Sequence, residues 1–242
     1  WFYRKVWQKN QSKTPLVANP LEKSLTLIFA DNLGLAAQLR EDLSRQNQPY
    51  VQITIGSDLT QINPNHYSLA PDNPKHYNLL IDSLMENNQL IGKIIHLWDY
   101  KQQEEISSLE ELESTQKQGV YSLLSLVQAL EKTQTSQHKV KLLWIANNSQ
   151  SVNPTDKIEP QKATVLGLLK TIAQEKSWLT TRHLDLLKAE ELNSSYIWQE
   201  LYSVDNELEV AIRDKQRFVS RLETVNMTGE NKQEIPIKTE GT

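Results

Sequence analysis

The sequence predicts an α/β protein built on a mainly parallel sheet with helices on both faces. Short apolar runs, such as LTLIFA at 25–30 and VKLLWIA at 140–146, read as strands buried on both sides. Between such runs lie stretches with apolar residues at helical spacing, as at Leu35, Leu39 and Leu43. The two kinds alternate along the chain. That order suits parallel strands joined by crossover helices.

Each element has its own signal. FYRKVWQ (2–8) alternates aromatic or apolar residues with polar ones and reads as a strand. Residues 9–22 are polar, contain Pro15 and Pro20, and read as a loop. After strand 25–30, Asp31 or Asn32 can cap a helix over 33–46. YVQITI (50–55) is the next strand, and 56–74, with Pro64, Pro71 and Pro74, reads as a long loop. A helix over 76–90 has Leu80, Leu84 and Ile91 as its apolar stripe, and KIIHLW (93–98) is a strand. Residues 99–114 are acidic and read as a loop or exposed helix, followed by a strongly apolar helix over 120–130. Strand 140–146 leads to a loop over 147–160 that contains Pro154 and Pro160. The helix over 161–174 has Val165, Leu168, Leu169 and Ile172 on its apolar face. A strand at 181–186 and a helix over 189–202 follow. The runs 209–213 and 217–222 flank Asp214, Lys215 and Gln216 as a hairpin.

A dinucleotide site needs closely spaced glycines at a strand-to-helix turn, so that backbone N–H groups can reach the pyrophosphate. The seven glycines include no G-x-G pair, and Gly34 stands alone after strand 25–30. Asp31 beside it would repel a phosphate. A short-chain reductase also needs a Tyr with a Lys four residues on, and none of the eight tyrosines has one. The histidines His66, His76, His96, His138 and His183 show no metal-ligand spacing. His96, inside a strand, reads as a hydrogen-bonded structural group, while His66 and His76 read as solvated. Acidic residues at 104–113 read as a solvated helix face. Trp7, Trp98 and Trp144 lie in or at the ends of strands and read as core.

The net charge of −4, with both signs interspersed, argues against a nucleic-acid surface. With no cysteine there is no disulfide, thiol catalysis or Cys-bound metal. No apolar run approaches the roughly 18 residues of a membrane span. The chain opens on Trp1 with no signal-peptide layout, which implies a cytoplasmic segment of a longer polypeptide.

Several segments together resemble the N-terminal structural subdomain of the ketoreductase in modular type I polyketide synthases. They are Tyr3-Arg4-Lys5-Val6-Trp7-Gln8, His96-Leu97-Trp98, the helix from Gly119 to Leu130, Leu143-Trp144-Ile145, and the helix from Gln161 through Gly167-Leu168 to Glu175. The hairpin from Glu209 to Leu222 closes the resemblance. It implies a degenerate Rossmann-like fold over 1–222, lacking the dinucleotide phosphate loop, and a polar linker over 223–242 leading to an absent catalytic subdomain. It also implies no catalytic, cofactor-binding or metal residue in this chain, and NADPH bound by the catalytic subdomain in cis. The chain alone is then not an enzyme but part of a β-ketoacyl reductase assembly line. Neighbouring synthase domains and an acyl carrier protein would be further partners, with no nucleic acid or membrane. Tyr3, Trp7, Arg217, Phe218, Val219 and Leu222 are expected to form the subdomain interface. A buried Trp7 there would be worth about 3–5 kcal/mol. The alternative is a pseudo-ketoreductase spacer that organises domains such as a methyltransferase or enoylreductase.

Overall fold

Leucine- and isoleucine-rich strands form the centre of a single ten-stranded sheet in a computed structural model that describes residues 2–11, 24–86, 90–102, 106–133, 138–187 and 193–225. In chain order the elements are β1 (Tyr3–Lys9), β2 (Leu25–Phe29), α1 (Leu35–Arg45), β3 (Tyr50–Ile55), β4 (Thr60–Asn63), β5 (His66–Leu69), α2 (Pro74–Glu86), β6 (Ile91–Asp99), α3 (Leu109–Gln116), α4 (Ser122–Glu131), β7 (Val140–Asn147), α5 (Val165–Glu175), β8 (Leu179–Leu186), α6 (Ser194–Tyr202), β9 (Glu209–Arg213) and β10 (Gln216–Thr224). A π-type turn, Lys117–Tyr121, precedes α4, and a 3₁₀ turn, Pro160–Thr164, precedes α5.

The strand order is β1-β10-β9-β8-β7-β6-β2-β3-β5-β4. Every pair from β9 to β5 is parallel, and the pairs β4–β5, β9–β10 and β1–β10 at the two ends are antiparallel. The order reverses between β2 and β6, the place where such sheets open a ligand crevice. On one face, here the front, α2, α4 and α5 bury Leu80, Leu84, Leu123, Leu126 and Leu169 against Phe29, Trp98 and Trp144. On the back, α1 and α6 bury Leu39, Leu43, Ile197 and Leu201 against Ile95, Leu143 and Val210. Trp98 and Trp144 are core, whereas Trp7 is only half-buried.

The differences from the sequence reading have local causes. The expected loop over 56–74 contains the hairpin β4–β5, whose four-residue strands are too short to stand out among prolines. That places His66 Nε2 3.0 Å from Thr54 Oγ1, and His76 Nδ1 accepts the Ala70 N–H at 3.1 Å, so neither ring is simply solvated. The acidic stretch is the exposed helix that the sequence allowed, α3, which Ser108 and Glu111 start with a capping box. The apolar helix starts at Ser122 rather than 120, after non-helical Gly119. The closing turn is shorter than expected. Asp214 (φ 49°) and Lys215 (φ 60°) make a two-residue hairpin loop of the type that matches strand twist, and Gln216 already belongs to β10. β10 runs to Thr224, two residues beyond the expected boundary, and 226–242 of the expected linker lie outside the described residues, as do 12–23 and 188–192.

Candidate functional site

The nucleotide turn of this fold is the first place to look for chemistry. Gly34 adopts φ 103°, a conformation that suits glycine, and lets the chain turn from β2 into α1. Asp31 then folds back over the start of α1. Its Oδ2 accepts the N–H groups of Leu33 (2.8 Å) and Leu35 (3.1 Å), and its Oδ1 that of Ala36 (2.7 Å). These amides are the donors that a pyrophosphate would use. A carboxylate of the chain holds them, so these residues do not fit a dinucleotide. The crevice outside β2, β3 and β6, about 530 Å³, is lined by Asp31, Thr54, Trp98, Lys101 and Glu111.

A second polar centre lies under the ends of β6 and β7. The Lys162 ammonium, almost fully buried, donates to Asn147 Oδ1 (2.9 Å), the Asn147 carbonyl (3.3 Å) and Glu159 Oε1 (3.1 Å). Burial lowers its pKa, opposed by Glu159 and Asp99. Trp144 Nε1 donates to Asp99 Oδ2 at 3.1 Å, and burial pushes the Asp99 carboxyl up to about 6. His96, stacked between Phe29 (4.5 Å) and Trp144 (3.8 Å), shares a hydrogen bond with Ser122 Oγ, as a structural strand histidine should. The groups are enclosed rather than presented. His96, Trp144 and Lys162 each fall inside a motif of the resemblance, but no pattern predicted that they meet, because they come together only through the β6–β7 pairing and the 3₁₀ turn. Among the described residues no group of three His, Cys, Asp or Glu side chains is placed to hold a metal ion.

The six residues expected at an interface all lie on the β1–β10 ribbon, and the register divides them. Tyr3 pairs with Thr224, Lys5 with Leu222, Trp7 with Ser220 and Lys9 with Phe218. Directly paired residues point to the same side, so Tyr3, Trp7, Phe218 and Leu222 share the front of the ribbon. Tyr3 is 57% and Leu222 73% exposed, while Trp7 and Phe218 are half-buried. Lys5 Nζ stands 4.8 Å from the centroid of the Trp7 ring, and Lys5 and Lys170 of α5 both pair with Glu209.

Arg217 and Val219 face the other way, toward the back of the sheet. Val219 is 1% exposed and packs in the back core. Arg217 grips Glu200 of α6 through Nε (2.6 Å to Oε1) and Nη2 (3.0 Å to Oε2), and reaches Asp205 Oδ2 at 3.0 Å. Arg182 of β8 holds the same two carboxylates at 2.7 and 2.6 Å. Burial alone would raise the Asp205 carboxyl, but the Arg182 and Arg217 guanidiniums hold it below its usual range. An amphipathic alternation predicts that a strand has two faces but not which face is covered, so the sequence could not separate these pairs.

Residues 24–203 match the family model of the beta-ketoacyl synthase-like N-terminal domain, and the chain belongs to that family. Its fold recurs in a multidomain structure with adenylation, ketoreductase and pseudo Asub parts from a keto acid-selecting NRPS module. That match has 24% identity and a TM-score of 0.85, covering 99% of this chain and 20% of that one. An N-terminal ketoreductase from the macrolactin assembly line matches at 16% identity and a TM-score of 0.74, over 93% of this chain and 45% of that one. A Serratia marcescens short-chain dehydrogenase/reductase matches at 10% identity and a TM-score of 0.57, over 80% of this chain and 98% of that one. The chain thus spans a fifth of the NRPS module chain and under half of the ketoreductase. No curated protein sequence matches it. Family and fold agree with the resemblance carried by the sequence motifs. No helix among the described residues is long and apolar enough to cross a membrane.

Proposed function

We propose that this chain is the structural, non-catalytic subdomain of a ketoreductase in a polyketide synthase or related assembly line. It packs on, and stabilises, an NADPH-dependent catalytic subdomain carried by the same polypeptide, which reduces a β-ketoacyl thioester. Acyl carrier protein and neighbouring synthase domains meet the assembled pair. The observation that carries this reading is a family fold kept whole around a nucleotide turn whose amides are occupied by Asp31. The exposed aromatic and apolar side chains on the front of the ribbon supply a surface for the partner.

The kind of parent has one specific pointer. The keto acid-selecting NRPS module aligns over 99% of this chain with a TM-score of 0.85, against 93% and 0.74 for the macrolactin ketoreductase. That favours, as a second reading, a parent of the NRPS kind, whose reductase would act on a keto acid-derived thioester in place of a β-ketoacyl one.

The test assays the full polypeptide and the 242-residue chain side by side, with NADPH and β-keto and α-keto acyl thioester surrogates. NADPH oxidation by the full polypeptide, with neither oxidation nor NADPH binding by the chain alone, is the expected result. Reduction or NADPH binding by the chain alone overturns the proposal. A full polypeptide with no oxidation and no glycine-rich loop makes the chain a spacer for other domains.

A further inference from the structure

The front helices of the sheet stop at α5, which packs on β8. Beyond it, the front of the ribbon carries Tyr3, Trp7, Phe218 and Leu222 as a largely apolar floor, with Lys5 set among them opposite Leu222. The flank of α5 on that side carries Leu166, Lys170 and Ala173, which share one helix face at i, i+4 and i+7. Leu166 and Lys170 adjoin Glu209 and Leu208, itself 39% exposed, so wall and floor meet in one corner. Lysines rim this corner. Lys5 and Lys170 share the single carboxylate of Glu209, which leaves a surplus positive charge, and Lys9 lies 6.0 Å from the centroid of the Phe218 ring.

We infer that this corner seats a helix of the reductase subdomain, apolar along one side and bearing carboxylates at its margins. The inference rests on the proposed function and goes beyond it by naming the partner's element and charge. Its physical basis is thickness. A helix packed on a sheet stands about 10 Å high with its side chains. A strand laid on the ribbon would cover the floor and leave the α5 wall in water. A second helix beside α5 covers both, and its acidic margins meet the lysine rim.

The chain has no cysteine, so single introduced cysteines report each surface. Leu222→Cys marks the floor, Ala173→Cys the wall, and Leu79→Cys on α2, 57% exposed, serves as control. Maleimide labelling of each site, read by peptide mass, is compared between the 242-residue chain and the full polypeptide. In the full polypeptide the floor and wall sites should label at least tenfold more slowly, with the control unchanged. Adding Lys9→Glu should restore floor labelling several-fold. Slow labelling at the floor with unchanged labelling at the wall overturns the helix and leaves the proposed function standing. Unchanged labelling at both overturns the docking itself. Persistent protection with Lys9→Glu overturns the acidic margin.

Discussion

The two faces of the β1–β10 ribbon are built from neighbouring residues and do opposite work. On the back, Val219 is sealed in the core and Arg217 is locked into a four-charge cluster with Arg182, Glu200 and Asp205. On the front, one residue along, Phe218 is half-buried and Leu222 is open to water. The back face joins the ribbon to its own sheet and helix α6. The front face has spare apolar area and spare positive charge. A single strand can therefore hold a fold together and offer a surface, because its side chains alternate.

The sharpest way to break the contrast is Glu200→Ala. It leaves Arg182 and Arg217 facing each other with Asp205 as the carboxylate still paired directly to both. A loss of about 3–5 kcal/mol is expected, since removing one partner strands a buried charge. Urea unfolding of the isolated chain measures it, and a loss below about 1 kcal/mol would mean that the cluster is solvated and the back face is not closed. Val219→Ala removes two buried methyl groups from the same face and should cost about 2 kcal/mol by the same measurement.

Acid should loosen the back face too. The Asp205 carboxyl has a folded pKa below its unfolded value of 3.8, so its contribution is present above that value. It is lost as pH falls through the lowered folded pKa. Unfolding midpoints should therefore drop below about pH 4. In Asp205→Asn that part of the drop should be absent, at a cost on the order of 1–2 kcal/mol near neutral pH. An unchanged acid profile in this variant would detach Asp205 from the cluster.

Leu222→Ala, on the front, completes the series with the smallest effect. It should change the stability of the isolated chain by less than about 0.5 kcal/mol. In the full polypeptide it should lower the reductase's thermal midpoint measurably, and thermal melts of both forms compare the two. Trp7 lies between these extremes. Half-buried, it should cost less than the loss expected of a buried tryptophan.

Some of the site was legible at the level of single residues. The alternation in FYRKVWQ and the hairpin after Glu209 marked both strands of the ribbon, on which the six residues expected at an interface lie, but that the two strands pair is a finding of the structure. Which two of those six face inward depends on where α6 lies, and no local pattern states that. Asp31 was legible as a helix cap and as an obstacle to phosphate, but its grip on three amides follows from the αL turn at Gly34. Lys162 and Asp99 were given no role, since each looks like an ordinary polar residue at a helix start or strand end until the 3₁₀ turn brings the ammonium under β7.

By itself the sequence determined the alternating α/β order, the parallel centre, the places of eight of the ten strands and the lack of glycines for a dinucleotide. These are local properties, written in hydrophobic period, turn residues and residue identity within a few positions. Only the tertiary structure decided the β4–β5 hairpin, the enclosed Lys162 cluster, and the division of the ribbon into a holding face and an open one. Those depend on contacts between residues far apart in the chain. Burial, unlike periodicity, is set by what the rest of the chain packs against.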